Sequence, residues 1–301
     1  MSQAPESNHE FRGALLAGGA YAIWGVVPLY WDLLDGVPPF EITLHRIAWC
    51  ALTALIVTLA RGRLTYLATI LKNRRLIGAL ALSSLLISVN WTIYIYCVTS
   101  HQLVDASLGY YLTPLVSIAL GVTLLGEKIS RLRMGAIGLA TAAVGVQAFA
   151  LAHIPWVAPA LALTFGFYGY VRKLTPVDAL DGLTIETLLL APVAVGLLVF
   201  WGMTGTGAFP SSIALRDVLL VCTGPLTAIP LVMFAAGARL VRMTTLGFLQ
   251  YLAPSITLVI ATLILHEPFT RTNAIAFGCV WAALILVSVD GRLGFLARRP
   301  A

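Results

Sequence analysis

The sequence predicts an all-α polytopic membrane protein whose ten transmembrane helices form two inverted five-helix repeats. Three observations lead to this prediction. Of the 301 residues, 59% are hydrophobic and only 11% are charged, whereas soluble domains carry roughly 25% charged residues. The apolar residues form continuous runs of ~20 residues, which is long enough for a helix to cross a bilayer. The chain also repeats part of its own sequence at an offset of 140 residues.

The repeat is clearest in two stretches, LGYYLTPLVSIALGVTLLGE at 108–127 and LGFLQYLAPSITLVIATLILHE at 246–267. Each contains the pattern Tyr-Leu-x-Pro, at Tyr111–Pro114 and at Tyr251–Pro254. Each continues as an apolar run and ends on a glutamate at the same distance from the proline. A repeat at nearly half of the chain length indicates two similar halves rather than a solenoid of short units.

Ten apolar runs separated by Gly- and Pro-containing turns give the predicted spans. They divide the chain into a polar tail of 1–11, a first five-helix repeat of 12–151, a second of 154–290 and a second tail of 291–301. No basic segment precedes the first run, so we expect a retained helix rather than a cleaved signal peptide. The predicted spans are 12–32, 40–60, 76–99, 104–125, 132–151, 154–173, 183–203, 217–238, 244–265 and 272–290.

The basic residues predict the orientation, because cytoplasmic loops carry an excess of Lys and Arg. With the N-terminus in the cytoplasm, the inside segments hold 16 of the 19 Lys and Arg residues. The outside loops hold only Arg216 and Arg271, and Arg46 falls within a span. Both termini are therefore predicted to be cytoplasmic. Topology accounts for the net charge of +6, so that charge does not indicate nucleic-acid binding.

Five spans in each half is an odd number, so the second half must enter the membrane from the opposite side. The halves are then inverted repeats related by a two-fold pseudo-axis in the membrane plane. Inverted repeats recur in secondary transporters, where they supply alternating access. Repeat symmetry also occurs in channels, so it favours transport without selecting the mechanism.

Charged residues at membrane depth are costly, which makes those within the spans the first candidates for function. Near the start of the second span, Glu41 and His45 share one helical face and Arg46 points elsewhere. Two interpretations are open for this group. In the first, the negative charge of Glu41 stabilises the helix N-terminus and the Arg46 side chain extends to the lipid headgroups. In the second, these side chains bind substrate.

The repeat adds a candidate in the seventh span. At an offset of 141 residues Thr43 aligns with Thr184 and His45 aligns with Glu186. Inverted halves place such pairs at similar depths from opposite sides. We hypothesise that Glu186 and His45 titrate or bind substrate in a central cavity.

Polar and aromatic residues near the middle of other spans predict a cavity wall. Asn90 and Tyr94 share a helical face, and Trp91 lies beside them in the third span. Gln250 and Tyr251 occupy the ninth span, and the fourth carries Tyr110 and Tyr111. Such a cluster stacks a flat, weakly polar molecule; the alternatives are an interfacial aromatic belt or core packing between helices.

Other chemical signals are weak or absent. Cys50, Cys97, Cys222 and Cys279 lie in apolar runs without disulfide or metal spacing. Glu127 and Glu267 are interpreted as structural residues whose carboxylates bind backbone amides at the start of the next helix, with Lys128 as a further partner for Glu127. No nucleotide-binding loop, zinc-protease motif or serine-hydrolase motif is present. We therefore expect no enzyme activity, no catalytic residue, no metal, no cofactor and no ATPase subunit, and no feature sets an oligomeric state.

These residues resemble the EamA branch of the drug/metabolite transporter superfamily, and within it RarD-type proteins, which are named for chloramphenicol sensitivity. The resemblance covers nearly the whole chain, and the first-half motifs are the more specific. The segments that carry it are GGAYAIWGVVPLYWDLL (18–34), ITLHRIAW (42–49), NWTIYIYCV (90–98) and ASLGYYLTPLVSIALGVTLLGEK (106–128).

The resemblance implies a permease of the bacterial inner membrane that carries small metabolites or drugs, as an exporter, by alternating access. The alternatives are a passive channel and a membrane sensor or accessory subunit without transport. The family fold implies a cavity between spans 1, 3, 4, 6, 8 and 9, with spans 5 and 10 packed outside. It implies that the following residues line or border the path: Trp24, Tyr30, Asn90, Tyr94, Tyr111, Tyr168 and Tyr251.

Overall fold

The protein is all-α, as the sequence predicts. A computed structural model describes residues 4–99, 103–149, 156–211, 213–264 and 270–297, and those residues form thirteen helices and no strand. The helices are α1 (Ala4–Val26), α2 (Pro28–Asp32), α3 (Pro39–Ala60), α4 (Leu64–Lys72), α5 (Arg74–Thr99), α6 (Leu103–Thr123), α7 (Arg131–Phe149), α8 (Val157–Leu174), α9 (Ala179–Thr204), α10 (Ala214–Leu240), α11 (Met243–Gln250), α12 (Leu252–Leu263) and α13 (Arg271–Ala297).

The described part of the chain holds eight helical segments long and apolar enough to cross a membrane, which supports a multi-pass membrane protein. Each predicted span falls on one helix or on a broken pair: α1 with α2, and α11 with α12. Helix α8 is not among the eight because Arg172 and Lys173 occupy its last turn. In α6 the apolar part extends over Gly109–Thr123.

Several boundaries differ from the sequence prediction. Helix α1 already begins at Ala4, within the predicted tail, and α13 continues to Ala297. Hydropathy marks where apolar sequence ends, not where a helix ends. Helix α4 is an element the sequence did not predict, and it packs Leu67 and Ile70 into a cluster with Leu80 and Ile185. Glu267, Arg298 and Arg299 lie outside the described residues.

Two of the prolines in the spans accompany breaks. Val27 separates α1 from α2, which begins at Pro28, and Tyr251 separates α11 from α12, which contains Pro254. Pro114 and Pro230 lie inside continuous helices, α6 and α10. Proline tends to interrupt a helix because it lacks the backbone N–H, but packing against neighbours decides whether the helix ends.

Helices from the two halves of the sequence intermingle. Helix α1 packs against α10, α11 and α12, and α3 packs against α9 and α10. Helix α6 contacts α8 and α11, α5 contacts α8 and α9, and α7 pairs with α13. The two halves therefore form one bundle rather than two separate ones.

Small residues allow the closest of these approaches, as is common where helices pack in membranes. A Cβ atom added at Gly224 of α10 would lie 2.5 Å from the carbonyl carbon and oxygen of Trp49 in α3. A Cβ added at Gly237 would lie 2.8 Å from the backbone of Gly13 and Ala17 in α1. The backbone of α10 thus contacts two helices of the first half directly.

We expect Gly224→Ala to destabilise the protein, because the new methyl group meets backbone atoms that cannot move independently of α3. Overpacking of this kind costs about 1–3 kcal/mol. The control is Gly138→Ala in α7, where an added Cβ meets nothing within 4 Å and alanine improves helix propensity. Thermal unfolding of the detergent-purified protein measures both. Equal unfolding temperatures for the two variants would contradict the close packing of α3 and α10.

Candidate functional site

A cavity of about 600 Å³ lies between helices of both halves, and we refer to it as the central cavity. Nine aromatic residues of the described part of the chain line it: Tyr21, Trp24, Trp31, Trp91, Tyr94, Tyr110, Tyr111, Phe165 and Phe277. The polar side chains that line it are Arg46, Asn90, Thr113, Gln147, Gln250, Thr257 and Asn273. An apolar wall with a few polar groups is typical of a small-molecule site.

The central cavity lies towards one end of the bundle. Helices α1, α5 and α7 contribute to it from their C-terminal halves, whereas α3, α8 and α13 contribute from their N-terminal halves. Leu231 and Gln250 line it from nearer the middle of their spans. Since successive helices run in opposite directions, these portions meet at a single end.

Arg46 brings a positive charge into the cavity wall. Its guanidinium carbon lies 5.1 Å from the centre of the Trp31 ring and 4.9 Å from that of Trp91, within the range of a cation–π interaction. Its Nε donates a hydrogen bond of 3.2 Å to the hydroxyl of Thr227 in α10. The side chain therefore faces the bundle interior rather than extending towards lipid headgroups.

The amide side chains of the wall also connect helices. The Nδ2 of Asn90 donates to the Leu161 carbonyl at 3.0 Å and to the Thr164 hydroxyl at 2.9 Å, which joins α5 to α8. The Oε1 of Gln250 accepts a 3.1 Å hydrogen bond from Ser117. The Nε2 of Gln147 donates to Asn273 Oδ1 at 3.3 Å. These bonds hold the wall in a fixed shape before any ligand binds.

The aromatic wall is also built from ring contacts. Trp24 contacts Tyr21 at 5.5 Å and Phe165 at 5.9 Å between ring centres. On another part of the wall Tyr111 meets Phe277 edge-on at 5.3 Å. Contacts of this type contribute about 0.5–1.5 kcal/mol beyond the area they bury, so the wall has little freedom to collapse.

Seven of the twelve residues predicted from the sequence line the central cavity: Trp24, Arg46, Asn90, Trp91, Tyr94, Tyr111 and Gln250. They come from α1, α3, α5, α6 and α11. Tyr110, for which core packing was an alternative, also lines it. The structure therefore brings together most of the aromatic and amide residues that the sequence singled out.

Three of the predicted tyrosines lie elsewhere. The hydroxyl of Tyr30 donates to the Leu219 carbonyl at 2.5 Å, and the ring borders a shallow apolar groove between α1, α2 and α10. Tyr168 is buried and stacks on Phe234. Tyr251 is fully buried and donates to the Tyr111 carbonyl at 3.2 Å. Neighbouring helices occupy these faces, which periodicity alone does not reveal.

His45 also lies away from the cavity, about 100° around the axis of α3 from Arg46. Its Nδ1 accepts a 3.1 Å hydrogen bond from Trp49, and its ring packs against Phe209. Its Nε2 is 4.0 Å from Glu41. The Glu41 carboxylate accepts a 2.6 Å hydrogen bond from the backbone N–H of Ala208, so it joins α3 to the segment between α9 and α10.

Glu186 is buried and does not line the central cavity. It forms an ion pair with Arg172, with 3.5 Å between Nε and Oε1, and it accepts a hydrogen bond from the Ser83 hydroxyl. Arg172 has room because residue 182 is glycine: an added Cβ there would lie 2.1 Å from a guanidinium nitrogen. The repeat predicted a cavity position for Glu186 from its alignment with His45. It does not indicate that Arg172 of α8 is the partner of Glu186.

Sequence reasoning missed two contributions to the wall. The resemblance implied that the fifth and tenth spans pack outside, yet α7 supplies Gln147 and α13 supplies Asn273 and Phe277. It also missed Trp31 of α2, which contacts Arg46. A polar amide within each of these apolar runs was the available signal for α7 and α13.

Charged groups join the two halves at the end of the bundle opposite the cavity. Arg63, which follows α3, donates two hydrogen bonds of 3.1 and 2.5 Å to Asp181 of α9, and these raise the pKa of the guanidinium. Glu127, which follows α6, accepts from the backbone N–H groups of Met243 and Thr244 at 2.6 and 2.9 Å. It therefore has a structural role, but it caps the start of α11 in the other half rather than the start of the next helix, α7, as the sequence analysis expected.

The same end carries one further contact between the halves and two contacts within the second half. Arg133 of α7 donates to Asp290 of α13 at 2.8 Å, and the Lys173 ammonium of α8 donates to the Ala238 carbonyl of α10 at 3.0 Å. Arg239 donates to the Val177 carbonyl at 2.8 Å. We refer to the contacts of Arg63, Glu127 and Arg133 as the polar closure. These contacts join the two halves at the end of the bundle opposite the central cavity.

We expect Glu186→Gln to destabilise the protein by about 3–5 kcal/mol, because it leaves the buried guanidinium of Arg172 without its counter-charge. The double variant Glu186→Gln/Arg172→Met removes both charges and should recover most of the loss. Thermal unfolding of the wild type, Glu186→Gln, Arg172→Met and the double variant gives the coupling free energy between the two side chains. If the two effects simply add, Glu186 does not act through Arg172.

Comparisons with known proteins agree with this architecture. A model of the EamA-like transporter family matches residues 11–148. An uncharacterized transporter of Vibrio cholerae is 38% identical over 301 residues, covering 99% of both chains. Protein RarD of Escherichia coli K12 is 36% identical over 93% of this chain and 94% of its own. One solved crystal structure shares the fold, with a TM-score of 0.70 and 18% identity over 93% of this chain and 98% of its own. The chain therefore belongs to the EamA-like transporter family, alongside the RarD proteins.

Proposed function

We propose that this chain is a secondary transporter of small metabolites or drug-like molecules that works by alternating access, with the central cavity as its translocation site. The observation that carries the proposal is the asymmetry of the bundle. A ligand-sized cavity lies between the halves at one end, and the polar closure joins the halves at the other. A transporter caught with one side open has this arrangement.

Contacts between equivalent helices support ten spans in two inverted repeats. At an offset of about 140 residues α3 corresponds to α9, α6 to α11 with α12, and α7 to α13, and each of these pairs packs together. Tyr111 and Tyr251 correspond as well, and they share a hydrogen bond. Residues that contact their own equivalents lie near a two-fold pseudo-axis.

The orientation follows from the basic residues. We propose a protein of the bacterial inner membrane with both termini in the cytoplasm, because the polar closure lies at the end that carries most of the Lys and Arg. The central cavity then opens to the periplasmic side. This arrangement corresponds to the outward-open state of the cycle.

In the proposed cycle the two halves rock about the cavity. Closing it at the periplasmic side requires the polar closure to separate, which breaks the contacts of Arg63 with Asp181 and of Glu127 with α11. Inverted repeats allow the alternative state because each half can adopt the conformation of the other. The described wall carries no carboxylate, which favours exchange or facilitated diffusion over proton-driven antiport.

We expect a disulfide between the halves to block transport. Thr58 of α3 and Thr184 of α9 place their hydroxyl oxygens 2.9 Å apart, so the variant Thr58→Cys/Thr184→Cys brings two thiols within disulfide range. The four natural cysteines are first replaced by alanine. Uptake into proteoliposomes is measured for labelled amino acids, organic acids, amines and chloramphenicol. Saturable uptake should stop on oxidation and return on reduction.

The single variants Thr58→Cys and Thr184→Cys are the controls, since neither can form the cross-link. Full uptake by the oxidised double variant would rule out rocking of these halves. Absence of saturable uptake for every compound, with folded and unlinked protein, would overturn the transport proposal. That result would favour a sensor or accessory membrane subunit.

A further inference from the structure

The charge that lines the central cavity is of one sign. Over the residues that the structure describes, Arg46 is the only charged side chain that lines it. No described carboxylate lies within 4.0 Å of the Arg46 nitrogens. The other deeply placed arginine, Arg172, is paired with Glu186. Arg46 thus differs from it in having no anionic partner among the described residues.

The contacts of Arg46 leave its hydrogen-bonding edge available. Trp31 and Trp91 contact the guanidinium as aromatic rings, and such contacts engage its flat face rather than its N–H groups. Thr227 accepts only from Nε. Neither terminal nitrogen donates to a described residue. The two terminal nitrogens form the fork that binds carboxylates through paired hydrogen bonds.

We infer that the central cavity binds small organic carboxylates with an aromatic or otherwise flat body, and that Arg46 holds the carboxylate. This inference rests on the proposed function, because it names the class of substrate for the same site. A charge at membrane depth is costly without a partner, and a bound carboxylate supplies one. The aromatic wall around Arg46, including Trp91 and Tyr110, provides the surface for the apolar body.

The wall favours a ligand with a single negative charge over ligands that are dianionic or cationic. A dianion such as a phosphate monoester would leave one charge unmatched by the single guanidinium. An ammonium group would find no described carboxylate in the wall and would be repelled by Arg46. The amide nitrogen of Asn90 already donates to Leu161 and Thr164, so fewer neutral donors of the wall remain to compensate a second negative charge.

Three ligands with one phenylpropyl body test the inference: 3-phenylpropionate, its primary amide and 3-phenylpropylamine, which carry charges of −1, 0 and +1. Equilibrium binding to the detergent-purified protein is followed by tryptophan fluorescence, since Trp24, Trp31 and Trp91 line the cavity. We expect the carboxylate to bind at least about tenfold more tightly than the amide, because charge-assisted hydrogen bonds are roughly twice as strong as neutral ones. The amine should bind most weakly.

Variants assign the preference to Arg46. Arg46→Gln should bring the affinities for carboxylate and amide to within about twofold of each other, and Arg46→Lys should keep a reduced preference because a point charge lacks the fork. Amide binding by each variant reports a folded cavity. Arg271→Gln, which removes an exposed charge near the same end, is the control and should keep the wild-type ratio. If Arg46→Gln does not fold, the ratio of carboxylate affinity to amide affinity in Arg46→Lys decides alone.

Equal or tighter binding of the amide or amine by the wild type would overturn the inference, as would an unchanged ratio in Arg46→Gln or Arg46→Lys. These outcomes are separate from those of the transport test. Selective binding of the carboxylate without flux would contradict the proposed function but keep the ligand class. Flux of amines or neutral compounds without carboxylate binding would support the proposed function but contradict the ligand class.

Discussion

A charged group inside an apolar helix bundle is costly unless another group partners it, and the rest of this structure depends on how that constraint is met. At one end, charges pair with residues or backbone groups of the other half, as Arg63 does with Asp181. Deeper in, Arg172 and Glu186 neutralise each other. At the other end Arg46 is left with aromatic rings and one hydroxyl. The bundle is closed where the charges are matched and hollow where one is unmatched.

The packing of helices makes this division possible. Glycines at Gly224 and Gly237 let α10 touch the backbones of α3 and α1, so the two halves share one interior. Because the wall draws on both halves, any relative movement changes the shape of the cavity and the contacts of the polar closure together. In the proposed cycle, ligand binding and closure are parts of one equilibrium, in which a ligand shifts the populations only by its difference in affinity for the two states.

Much of the fold and part of the site could be predicted from the sequence. Apolar runs located the helices, and the Tyr-Leu-x-Pro repeat predicts two similar halves. Helical periodicity separated His45 from Arg46 but did not show which of the two faces the cavity, because the arrangement of neighbouring helices decides that. The same limit explains Glu186, whose partner Arg172 belongs to another helix. Gln147 and Asn273 were missed because the family fold placed their helices outside, although each is an amide in an apolar run.

The cap that Glu127 provides to α11 also bears on biogenesis. A ribosome delivers the first half to the membrane before α11 exists, so this carboxylate and Arg63 are exposed until the second half inserts and supplies the amide groups of Met243 and Thr244 and the carboxylate of Asp181. The first half is thus an incomplete assembly intermediate, because its charged groups at this end gain their partners only when α9 and α11 are in place.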